Sequence, residues 1–163
     1  MIRDKFDAVR EDWARERPDL DPSEAEVFWR ITYIHKQLDK IVSKRLSKLD
    51  LPIWAFDVVA ALRRGGPPFQ ASPSALCTAA MLTTGAMTNR LDRLEESGLV
   101  ERLPDPDDRR GILIRLTAKG KELVDRAIEV RVEQAAEAVS TLTAPERKQL
   151  NKLLRKLVIQ NSS

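Results

Sequence analysis

The strongest constraint on the fold is a change of hydrophobic period in the middle of the chain. Up to Ser97 the apolar residues Met87, Leu91 and Leu94 recur at helical spacing, and Gly98 stands where a left-handed residue ends a helix. Beyond it the period shortens to about two. Leu99, Val100, Arg102 and Leu103 form one alternating run, and Ile112, Leu113, Ile114, Arg115 and Leu116 form another. Between them Pro104-Asp105-Pro106-Asp107-Asp108-Arg109-Arg110-Gly111 is too long and polar for a tight hairpin turn, so it reads as a projecting loop. Two shorter helices precede, over 53 to 63 and 73 to 80; Gly65-Gly66-Pro67-Pro68 separates them and Ser72-Pro73 opens the second. Thr83 is placed to cap the third helix. Helix, helix, longer helix and two-stranded ribbon, in that order, make a winged helix-turn-helix with the ribbon as its wing. The expected class is mainly α with a small two-stranded β wing.

Long helices flank this lobe. Phe6, Val9 and Trp13 share one face of a first helix closed by Arg17-Pro18. Asp21-Pro22-Ser23-Glu24 opens a second, whose stripe of Val27, Ile31, Ile34, Leu38, Ile41, Val42, Arg45 and Leu49 runs until just before Pro52. Thr117 caps a helix reaching about Ser140, with Leu123, Ile128, Val132 and Ala135 as its spine. Thr143-Ala144-Pro145-Glu146 opens the last, carrying Leu150, Leu153, Leu154 and Leu157. These stripes exceed what one lobe can cover, which predicts a homodimer joined through its ends. The expected organisation is a single domain over 1–163, with the winged-helix lobe at 51–116 between dimerisation helices at 1–50 and 117–163.

With 163 residues, 42% of them apolar, the chain has enough material for one sizeable core and is not globally disordered. Its single cysteine, Cys77, permits no internal disulfide and no multi-cysteine metal site. The charged start MIRDKFDAVREDWARERPD is no secretory signal, and no apolar run nears the roughly 20 residues of a membrane span, so a cytoplasmic, nucleoid-associated protein is expected. The 28 basic side chains barely exceed the 25 acidic ones. Residues 71–116 carry 6 basic and 7 acidic groups, so any attraction to a polyanion must come from placed residues rather than bulk charge.

The helix over 83–97 has the needed division of labour. Ala86, Met87, Leu91 and Leu94 turn inward, while Thr84, Gly85, Thr88, Asn89 and Arg93 turn outward as short polar or planar groups suited to base edges and phosphates. Gly85 allows close backbone approach, and Arg109 and Arg110 at the wing tip suit a narrow minor groove. Asp92, Glu95 and Glu96 occupy the far half of the helix. Double-stranded DNA is the expected partner.

Three strings, Asn89-Arg90-Leu91-Asp92-Arg93-Leu94-Glu95 with Gly98-Leu99-Val100, then Asp107-Asp108-Arg109-Arg110, then Ile114-Arg115-Leu116-Thr117-Ala118-Lys119-Gly120, resemble the MarR family of bacterial transcriptional regulators over about 25 to 160. The resemblance implies a dimer on a pseudopalindromic operator, usually a repressor released by a small molecule, with no cofactor. The chain also resembles the urate-responsive branch, which adds an N-terminal helix and binds a purine anion. That likeness implies ligand roles for Trp13, Asp57, Arg90 and Arg102. Two arginines offer charge-assisted donors to a urate edge and the indole can cover its face. Asp57 is repulsive to an anion, so it is expected to hold Arg90 until ligand displaces it. Blander roles stand beside these: helix packing for Trp13, pairing of Asp57 with Arg63 or Arg64, a phosphate contact for Arg90, and solvent for Arg102.

Other sensing chemistries stay open, namely a phenolic or aromatic acid, or oxidation of Cys77. Cys77 lies inside an apolar helix and is expected to be buried and structural. An enzyme is disfavoured: the lone His35 has no evident partner, and neither a phosphate loop nor metal-ligand spacing occurs. A sequence-independent DNA-compacting protein would need more positive charge.

Overall fold

The computed structural model describes residues 3–80 and 84–162, and the backbone alone of Thr84; the expected cap Thr83 lies outside the described residues. The chain divides into two compact units, Met1–Lys44 and Arg45–Ser163. The reason lies in how self-contained the first unit is.

That unit holds α1 (Lys5–Glu16) and most of α2 (Ser23–Leu46). Asp4 caps α1 by accepting the Phe6 N–H at 2.8 Å, and Asp7 reciprocates by accepting the Asp4 N–H at 2.6 Å. The same Asp4 and Asp7 carboxylates bind Arg30 of α2, at 2.8 and 3.2 Å, while Glu26 takes another guanidinium nitrogen at 2.7 Å. Phe6 lies against Trp29 and edge-on to Tyr33, and Lys5 Nζ sits 3.2 Å from the Tyr33 ring centroid. Along α2, Val27, Ile31, Ile34 and Ile41 of the stripe, and Phe28 beside it, are exposed. The helical run ends before Pro52, as the stripe predicts. It tightens at Ser47–Leu49 into a 3-10 turn, and Asp50 turns left-handed at φ 51°.

The second unit contains α3 (Ile53–Arg64), β1 (Gln70–Ala71), α4 (Pro73–Ala80), α5 (Thr84–Glu96), β2 (Val100–Pro104), β3 (Ile112–Leu116), α6 (Ala118–Ala138) and α7 (Ala144–Gln160). The wing ribbon is antiparallel with Val100 opposite Leu116 and Arg102 opposite Ile114. Its sheet has a third strand: β1 pairs with the other edge of β3, Gln70 opposite Arg115, giving the order β1-β3-β2. A two-residue strand is too short to show a period, which is why sequence reading missed it.

Leu51, Ala55, Val58, Val59 and Leu62 of the α3 region pack with Leu76 of α4, Met87, Leu91 and Leu94 of α5, Val100 and Ile114 of the sheet, and Val124 and Ala127 of α6; each is at most 2% exposed. Gly98 ends α5 at φ 70°, with its N–H on Glu95 O at 2.8 Å and the Leu99 N–H on Leu94 O at 2.9 Å, a Schellman motif. The next junction is equally local. Thr117 caps α6 through the Gly120 N–H, donates its hydroxyl to Gly98 O at 2.7 Å and its N–H to Leu99 O at 3.1 Å. A Cβ on Gly120 would fall on the Leu99 carbonyl oxygen, so only glycine lets α6 approach this closely. On α7, Thr143 and Glu146 form a capping box, while Leu150, Leu153, Leu154, Leu157, Val158 and Ile159 are exposed. Among the described residues no helix is long and apolar enough to cross a membrane.

Candidate functional site

The packing of α5 sorts its side chains. Met87, Leu91 and Leu94 are anchored in the core, which turns Gly85, Thr88, Asn89 and Arg93 to the exposed side. Among the described residues nothing outside its own helix lies within 4 Å of where a Gly85 Cβ would stand. Arg109 and Arg110 are exposed at the wing tip, where the loop holds its own shape. Asp105 accepts the Asp107 N–H at 3.0 Å, Asp108 accepts the Arg110 N–H at 2.9 Å, and the Gly111 N–H closes on Asp108 O at 2.8 Å. The seven candidates for DNA contact therefore fall on two exposed features of the second unit, the free side of α5 and the wing tip, with the Thr84 side chain outside the described atoms.

Arg93 is exposed yet not unattended. Its guanidinium carbon lies 4.6 Å from the ring centroid of Trp54 on α3, and that of Arg90 lies 5.9 Å from the same ring. One indole thus faces two cations of α5. A cleft of about 160 Å³ opens beside this contact, lined in part by Asp50, Trp54, Arg93 and Ser97. A larger one of about 340 Å³ lies between Asp50, Ser97, Lys119, Glu122 and Arg126. Lys119 there donates to Ser97 O at 2.8 Å, at the C-terminal end of α5.

The four residues expected to hold a purine anion are not gathered into either cleft. Trp13 is 49% exposed on α1, in the first unit. Asp57 is exposed on α3. The Arg90 guanidinium lies beside Trp54. The Arg63 guanidinium goes to Asp125 of α6 at 2.7 Å. Arg102 does not face solvent. Its Nη2 donates to Asp92 Oδ1 at 2.6 Å, its Nη1 to Glu95 Oε2, and its backbone N–H to Glu95 Oε1 at 3.2 Å. The hydrogen bond to Asp92, ahead of the charges nearby, keeps this guanidinium more firmly protonated than usual. Cys77 is half-buried rather than buried, and His35 is exposed with Asp39 Oδ2 3.4 Å away. Trp54, Asp92 and Glu95 were missed as functional partners. Asp92 and Glu95 carried a signal in their spacing of three, which puts both on one side of a helix that a following strand must cross.

Comparison with known proteins gives a consistent result. A profile described as MarR family matches residues 49–111. The chain is 36% identical over 146 residues to the HTH-type transcriptional regulator PecS of Dickeya dadantii (strain 3937), spanning 90% of this chain and 88% of that one. It is 33% identical to the multiple antibiotic resistance protein MarR of Escherichia coli (strain K12), over 78% and 88% of the two chains. The crystal structure of a mutant E. coli MarR complexed with operator DNA superposes with a TM-score of 0.73 at 29% identity, covering 90% of this chain and 97% of that one.

Proposed function

Because the chain belongs to the MarR family of transcriptional regulators and is built as a winged helix-turn-helix, we propose that it acts as a homodimeric, sequence-specific operator-binding protein, a repressor released by urate or a similar purine anion. The observation that carries the DNA reading is the sorting of α5: a core-anchored face opposite a face of Gly85, Thr88, Asn89 and Arg93, with Arg109 and Arg110 exposed on the adjoining wing. Support comes also from the likeness to MarR in complex with operator DNA. The helix side chains read base edges in the major groove, where the Asn89 amide is suited to adenine, and the wing-tip arginines enter the minor groove. The exposed leucines of α7 and the apolar stripe of α2 supply the surface for a second copy, so two α5 helices meet two half-sites about one helical turn apart. In a mobility assay on the operator, Asn89→Ala is expected to cost about 1–3 kcal/mol and relax specificity at one base pair, while Arg109→Ala with Arg110→Ala weakens all sequences and flattens the salt dependence. Unchanged affinity in both would sink this reading.

For the effector, the proposed ligand set is Trp13, Asp57, Arg90 and Arg102. Arg90 is half-buried beside Trp54, which places a charge-assisted donor and an aromatic face together for a flat anion. Arg102 reaches an anion only if its contacts to Asp92 and Glu95 open. Titration of urate, xanthine and salicylate against operator-bound protein, with Arg90→Ala and Trp13→Phe alongside, tests the set. Release of wild type by urate that Arg90→Ala resists supports it. Release by salicylate alone, or equal urate release of both proteins, replaces it.

A further inference from the structure

Arg102 enters the sheet at the root of the wing, opposite the buried Ile114, and its side chain crosses to α5 rather than following the ribbon outward. There it meets both acids of the far half of the helix, which stand one turn apart on the same side. Its side chain is 29% exposed, and Glu95 accepts from both its backbone N–H and its guanidinium. These polar contacts join α5 to β2. A two-point, partly desolvated arginine network defines an angle in a way that a single exposed ion pair does not.

We propose that Arg102, Asp92 and Glu95 form a latch that fixes the wing relative to the recognition helix, so that the wing-tip arginines and α5 engage DNA as one rigid body. Arg102 is thus a positioning residue, and Asp92 and Glu95, which on charge alone should repel phosphate, favour operator binding through it. This rests on the reading above that α5 and the wing tip both touch the duplex.

The acids give the inference an unusual sign. If they mattered only as charges, Asp92→Asn with Glu95→Gln would raise the net charge by about two and tighten DNA binding. A latch predicts the opposite: operator affinity falls roughly 3- to 10-fold in the double variant, about the net worth of one ordinary hydrogen bond. The penalty for Arg109→Ala with Arg110→Ala should also shrink in that background, because a loosened wing has already forfeited part of its contact. Amide hydrogen exchange without DNA reads the latch directly, and residues 100–104 and 112–116 should exchange faster while α3 is unchanged. Affinity that rises or stays level, a wing-tip penalty equal in both backgrounds, or unaltered exchange in the wing overturns the latch. If Asn89→Ala and the wing-tip variant cost nothing in wild type, the DNA interface itself is misplaced; if both cost and the acid pair is silent, only the latch fails.

Discussion

Replacing Gly120 with alanine tests how α6 is joined to the DNA-binding lobe. The new methyl group meets the Leu99 carbonyl oxygen, a backbone atom that cannot swing aside as a side-chain tip would. Either α6 lifts or the start of the wing is pushed away. Overpacking of this kind costs about 1–3 kcal/mol. Separation of the two segments also strains the Thr117 N–H bond to Leu99 O and the Thr117 hydroxyl bond to Gly98 O, each worth about 1 kcal/mol net. Against this, alanine is favoured over glycine inside a helix by about 1 kcal/mol. The balance is a loss of about 2–4 kcal/mol, or a melting point lower by roughly 4–16 °C for a chain of this size. Urea unfolding at one fixed protein concentration measures it, because a dimer's apparent stability depends on concentration. Gly85→Ala is the internal control: that site is helical, exposed and open, so the same substitution should stabilise by up to about 1 kcal/mol. A Gly120→Ala protein within about 0.5 kcal/mol of wild type would refute the packing argument, since additive error alone reaches that size.

Trp54→Leu combined with Arg93→Met should show a coupling of about 0.5–1 kcal/mol in a double-mutant cycle, the range for an exposed cation–π contact; strictly additive losses would mean the 4.6 Å approach carries no energy. Asp4 is held below the usual carboxylate range, first by its hydrogen bond to Arg30 and then by the Phe6 N–H. The cap it provides is therefore fully present above the unfolded carboxyl value and is lost as pH falls through the lower folded one. In an NMR titration the Phe6 amide should follow Asp4 with a midpoint beneath that of Asp in a peptide, and a midpoint at or above it contradicts the cap. Thr143→Ala should cost about 1 kcal/mol by removing one half of the α7 capping box, while Thr141→Ala, two residues earlier, should be neutral in the same melt.

What could be read from the sequence was whatever had a period or a punctuation mark. The helix over 53–63, the Gly98 stop and the Thr117 and Thr143 caps all depend on neighbours in the chain, and the structure has them. β1 escaped because two residues have no period. The site divides along the same line. Which side of α5 is buried follows from the spacing of Met87, Leu91 and Leu94. The partners of Arg90 and Arg102 do not, because Trp54 and Asp92 are brought to them by crossings between elements, which spacing within one element cannot register.

The order β1-β3-β2 puts the strand that leaves the wing tip in the middle of the sheet, pinned on both edges. Changes in the length of the loop from Asp105 to Arg110 therefore need not propagate into the register, and each doubling of such a loop costs only about 0.6 kcal/mol in closure entropy. The wing behaves as an interchangeable tool on a fixed handle: a longer, shorter or differently charged tip can be grafted between Pro104 and Ile112 to retune reach along the duplex without rebuilding the helices that carry it.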